Sequence, residues 1–190
     1  GRKTDVNDAM WLADLLAHGL IRASFVPPVA VQKLRALART RKQFVRERSA
    51  HVQRVEKVLE DANLKLSVVL SDIMGKSGRA VLQAIVDGHT DPEGLIRLVS
   101  LRVKASRAEV LEALRGHIST HHRFMLKLHL DHIDALARAI ANLEAEVGHG
   151  LEPFRHAAKL LSTIPGLSTV SAHVVVAEIG IDMSRFATPG

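Results

Sequence analysis

The chain has 190 residues, 47% of them hydrophobic and 3% aromatic, with no tyrosine and no cysteine. The missing cysteine excludes a disulfide framework and a thiolate zinc site, and it fits a reducing cytosol. No apolar run reaches the ~20 residues that a membrane-spanning helix needs, and the polar, charged start shows no signal peptide. The net charge of +6 is gathered in one third: residues 1–60 hold 12 Lys/Arg against 6 Asp/Glu, and residues 61–190 hold 14 against 14. Abundant Ala, Leu, Val and Arg favour helix over sheet, and the length suits one domain or two small ones.

The first predicted element lies in "KTDVNDAMWLADLL" (3–16). Asp5 and Asp8 precede Met10, Leu12, Ala13, Leu15 and Leu16, which predicts a helix over 5–18 with Gly19 as its C-terminal cap. Residues i and i+3 share a helix face, their Cβ atoms about 5–6 Å apart. Two carboxylates there repel unless a cation or proton intervenes, and oxygen donors at that spacing suit Mg²⁺. Aspartate also favours any helix start, so the spacing alone leaves both readings open. "IRASFVPP" (21–28) reads as extended, because Pro27 and Pro28 disfavour helix before them.

From Val29 to about Asn63 there is neither Gly nor Pro. Val31, Ala38, Val45, Val52 and Leu59 recur every seven residues, with Leu34, Arg41, Arg48 and Val55 at the second heptad position. That predicts a long amphipathic helix with two arginines in its seam. Nine basic residues between 33 and 57 face only Glu47 and Glu56. Such a stripe attracts a polyanion by releasing counterions, although a solvated helix face has the same composition. Shorter helices are expected near 64–74, 77–87, 92–101 and 105–115.

A second long helix is expected over 117–147. Leu126, Ile133, Ile140 and Val147 repeat every seven, interleaved with His129, Leu136 and Leu143. His117 and His121 have an i, i+4 spacing that can hold zinc, but no further ligand completes a set. His129 reads as a polar seam residue that sets register. The predicted fold is mostly α: a long antiparallel coiled-coil hairpin over 29–148 carrying a small helical insertion at about 64–116.

"VGHGLEP" (147–153) reads as a linker. A helix over 154–162, the turn "TIPGLS" and a helix over 169–179 follow, which resembles a helix-hairpin-helix. In such a turn Gly166, Leu167 and Ser168 would bring backbone N–H groups to a nucleic-acid phosphate. A plain helical hairpin also wants a glycine. There is no nucleophile elbow, phosphate-binding loop or dinucleotide fingerprint; Lys76-Ser77 after Gly75 lacks the preceding strand and glycine.

In order and spacing these segments resemble the bacterial insertion-sequence transposases written "IS one-ten", the DEDD transposases, which are bridge-RNA-guided DNA recombinases. "KTDVNDA" looks like their K-T/S-D-x-x-D-A signature. The stretch from "ARTRKQF" to "AIVDG" looks like their coiled coil and insertion, "HHRFMLKLHLDHID" like the returning helix, and "LLSTIPGLSTVSAHVVVAEIGIDMSRFATPG" like the opening of their C-terminal transposase domain. The resemblance spans essentially the whole chain.

It implies that residues 1–28 are the end of a RuvC-like, RNase H-type catalytic domain, followed by the coiled-coil hairpin (29–148) and the start of the C-terminal domain (149–190). Asp5 and Asp8 would be the last two of four acids that hold Mg²⁺. The first Asp and the Glu would lie before residue 1. A serine nucleophile that forms a covalent link to DNA would lie after Gly190; Ser162, Ser168 and Ser171 precede its place. The chain then reads as an internal fragment that binds no metal and cuts no DNA by itself. Implied partners are DNA, a guide RNA and further copies of the chain, in a bacterial cytoplasm and away from any membrane. Arg39, Arg41, Lys42, Arg46 and Arg48 are the expected nucleic-acid contacts on the basic helix. The alternatives are a non-catalytic helical nucleic-acid-binding or dimerisation module and a coiled-coil scaffold.

Overall fold

A computed structural model describes residues 4–21 and 26–184. Among them the chain is helical, with no strand. The basic residues Arg2 and Lys3, the middle of "IRASFVPP" and the final "RFATPG" lie outside the described residues.

Helix α1 (Asp5–Ala17) begins where Thr4 Oγ1 accepts the Asn7 N–H at 3.3 Å. The cap is therefore the threonine, and the aspartates occupy the first turn behind it. The other end closes on Gly19 at φ +66, where the N–H groups of Gly19 and Leu20 donate to Leu16 and Leu15 carbonyls at 3.0 Å. Glycine reaches that conformation without a Cβ penalty. No residue of α1 is buried, and Trp11 is 61% exposed.

Two long helices, α2 (Val29–Asp61) and α7 (Thr120–Gly150), run antiparallel: Arg41 meets Glu144, and ten residues on His51 meets His129. On α7 the heptad residues Leu126, Ile133, Ile140 and Val147 are all buried, as is His129. On α2 Val31, Leu34, Val55, Val58 and Leu59 are buried, whereas Ala38, Val45 and Val52 are half-covered. Arg48, expected in the seam, is exposed. A helix of 3.6 residues per turn drifts about 20° per heptad. By mid-helix Phe44 and His51 have turned partly inward beside Val45 and Val52.

Both ends of the second long helix differ from the sequence reading. It starts at Thr120, not 117, because Ser119 and His122 form a reciprocal cap, with Ser119 Oγ accepting the His122 N–H and His122 Nδ1 accepting the Ser119 N–H. It continues through Gly150, so the expected linker at 147–153 is helical up to residue 150. Gly148 and Gly150 each cost about 1 kcal/mol of helix propensity, but Val147 and Leu151 are buried with Leu34 in one cluster, which offsets that cost.

Four short helices fill the tip: α3 (Leu66–Val69), α4 (Lys76–Val86), α5 (Pro92–Leu95), which runs into a 3-10 turn at 96–98, and α6 (Arg107–Ala113). Leu66, Leu82, Ile85, Leu95 and Leu114 pack there against Val55, Leu59 and Leu126. A Cβ on Gly78 would run into the Ile73 backbone, so the α4 start needs glycine there. The tip is tied at its neck: Lys65 N–H donates to Ala113 O at 2.9 Å and His117 N–H to Ala62 O at 2.7 Å.

At the opposite end, the base, α8 (Arg155–Leu161) and α9 (Thr169–Ile179) fold back onto the long pair. Val176 and Ala177 of α9 join Leu34, Leu151 and Ala158. Gly180, which ends α9 at φ +75, sits beside Val31 at the start of α2.

Candidate nucleic-acid interface and acidic pair

Asp5 and Asp8 lie on the first turn of α1, Asp5 exposed and Asp8 half-covered. Their oxygens are hard donors suited to a hard cation, and Mg²⁺ is commonly held by one or two carboxylates plus substrate phosphates. Among the described residues no group of three or more His, Asp or Glu is placed to hold a metal. The pair fits part of a coordination shell and no more. His117 and His121 gain no further ligand, and His117 lies before the helix altogether.

The basic helix divides. Arg35, Arg39, Lys42 and Arg46 fall at i, i+4, i+7 and i+11, one face of α2. Arg39 is bound by Glu178 of α9 through two parallel contacts, Nε to Oε1 at 2.9 Å and Nη2 to Oε2 at 2.8 Å. That fork holds the Glu178 carboxyl below its usual pKa and raises the Arg39 guanidinium. Arg35 reaches the carbonyls of Ala177 and Glu178, where the negative end of the α9 dipole lies. Arg41, half-buried in the seam, donates to Glu144. Lys42, Arg46 and Arg48 are exposed and have no ion pair among the described residues. Of the four arginines and one lysine expected to meet nucleic acid, three residues are thus open and two are held by internal acids.

The turn before α9 spans residues 162–168. Gly166 adopts φ +84, and Ser168 Oγ accepts the Ser171 N–H at 3.1 Å. The Leu167 N–H is used inside the turn, donating to Ile164 O at 3.0 Å. The first turn of α9 and the backbone at Gly166 remain to face a ligand. This turn and Glu178 lie at opposite ends of α9, about 14 Å apart along its axis.

The sequence reading missed Glu178 and Glu144 as partners of the basic helix. Their one signal was being isolated acids on otherwise apolar or neutral helix faces. It also missed a histidine trio: His51 Nδ1 lies 3.2 Å from His129 Nδ1, and the His51 and His132 rings stack at 4.8 Å. Burial and the nearby Arg54 push both His51 and His129 below the usual imidazole pKa.

Residues 1–64, from the acidic helix to just past the end of α2, match the family model DEDD_Tnp_IS110, described as "Transposase". The matched third of the chain is thus similar to the IS110 family of transposases, and the match supports an IS110-family transposase as its origin. No curated protein and no solved structure matches the chain. No helix among the described residues is long and apolar enough to cross a membrane.

Proposed function

We propose that the chain is part of an insertion-sequence DNA transposase or recombinase that cleaves and exchanges DNA strands with Mg²⁺ in its full-length form. The observation that carries this is the family match, which covers both aspartates and the basic helix. Asp5 and Asp8 supply two of four carboxylates, which would hold the metal at the attacked phosphate. Lys42, Arg46 and Arg48 contact the phosphates of DNA or a guide RNA, and the turn at Gly166 and Ser168 adds a further contact. Arg39 and Arg41 support that face from within their ion pairs. The two long helices act as a coiled-coil hairpin through which copies of the protein assemble, in the bacterial cytoplasm.

In the full-length protein, Asp5→Asn and Asp8→Asn each abolish Mg²⁺-dependent strand exchange and leave the circular dichroism spectrum unchanged. Activity retained in either variant removes that residue from the site. Nucleic-acid binding is tested by reversing Lys42, Arg46 and Arg48 to Glu. Log affinity against log salt then loses about 0.7 to 0.9 of slope per phosphate contact, and an unchanged slope refutes the assignment.

One observation favours a second reading, a non-catalytic nucleic-acid-binding or dimerisation module: the acidic pair has no third metal ligand among the described residues. Full-length protein that binds nucleic acid but never exchanges strands would decide for it.

A further inference from the structure

At the tip, between α3 and α6, lies a cleft of about 920 Å³, at the upper end of the roughly 300–1,000 Å³ of small-molecule sites. It is about 50 Å, the length of α2, from the base. Its floor is apolar, with Val69, Leu70 and Val103, and its walls carry Lys65, Arg102 and Lys104. All three cations are exposed and have no ion pair among the described residues. The two acids in the walls are engaged: Glu109 caps α6 by accepting the Ser106 N–H at 2.7 Å, and Glu112 lies 3.4 Å from Arg115. The hydroxyls of Ser67 and Ser71 also line it. Residues 61–190 carry no net charge, so this concentration of unpaired cations is a local feature.

We propose that this cleft binds unpaired nucleotides of a single-stranded nucleic acid. An apolar floor beneath cations matches the alternation of flat base and phosphate along a single strand. A duplex turns its base faces inward and offers backbone and groove edges, with no flat base to lie on such a surface. The Arg102 guanidinium can stack on a base while Lys65 and Lys104 meet phosphates. The inference rests on the reading of the chain as a nucleic-acid-binding protein and adds a site remote from the α2 stripe.

The test uses the full chain with a fluorescent single-stranded 12-mer, titrated at several salt concentrations. One variant reverses Lys65, Arg102 and Lys104 to Glu; a second changes them to Gln, and a third reverses Lys42 and Arg46 to Glu. All the altered side chains are exposed, and matching melting curves confirm the fold. The cleft variants are expected to weaken single-strand binding by about tenfold or more and to lower the salt slope by about 0.7 per contact removed, with duplex affinity retained. Single-strand binding unchanged in the cleft variants but lost in the stripe variant overturns the cleft and leaves the wider reading intact. No loss in any variant overturns the wider reading as well. Displacement of the 12-mer by polyglutamate as readily as by unlabelled oligonucleotide overturns the proposal in favour of an acidic peptide.

Discussion

At the tip, Leu66, Leu82 and Ile85, fully buried, interlock with Val55, Leu59, Leu126 and Leu130 of the long helices. At the base, the apolar cluster is small, built on Leu34, Val147 and Val176, and it is backed by Arg35 and Arg39 on Glu178 and by Arg41 on Glu144. Between them lies the histidine trio. Apolar burial is worth roughly 25 cal/mol per Å², while exposed ion pairs contribute about 0–1 kcal/mol. The tip therefore does more than the base to hold the helix pair together.

The sharpest way to break this contrast is at the tip. Leu82→Ala is expected to cost about 3–5 kcal/mol, read from urea denaturation. A loss below that of a base variant would reverse the assignment. Val176→Ala at the base is expected to cost about 2 kcal/mol. In native-state hydrogen exchange the α9 amides should open before those of α4; simultaneous opening would mean one cooperative unit.

The histidine trio sharpens the contrast through pH. His51 and His129 are held mainly neutral by burial, then by Arg54 and each other or His132, with Glu47 opposing at His51. Below the ordinary imidazole pKa of ~6.5 the unfolded chain takes up protons that the folded pair resists. Stability should therefore fall as pH drops from about 7.5 through 6.5 and below. The double variant His51→Gln, His129→Gln should flatten that slope to the share of His173, which burial also lowers. A slope as steep as before would clear the pair. The smallest effect is expected from Glu178→Gln, about 0.5–1 kcal/mol, since its side chain is 35% exposed. The lowered Glu178 pKa makes this contribution present above the usual carboxylate range and lost as pH falls through the folded value. A variant with an unaltered acid limb in its pH–stability curve would show that the carboxylate adds nothing.

Much of this was legible in the residues. The seven-residue spacing of Leu126, Ile133, Ile140 and Val147 located the buried edge of α7, because burial follows helix periodicity directly. The Pro-Gly turn located α9 from Thr169 to Ile179. What stayed hidden depended on contacts between segments distant in sequence. Arg39 and Arg41 read as open cations because Glu178 and Glu144 are 139 and 103 residues away. Gly148 and Gly150 read as a linker because propensity carries no knowledge of Leu34 beside Gly150. The acidic pair was legible only as spacing, which a helix start shares with a metal site.

Gly180 sits beside Val31, so the start of α2 and the end of α9 lie at one place on the long pair. Both junctions therefore sit at one end of the helix pair, about 50 Å, the length of α2, from the tip cleft.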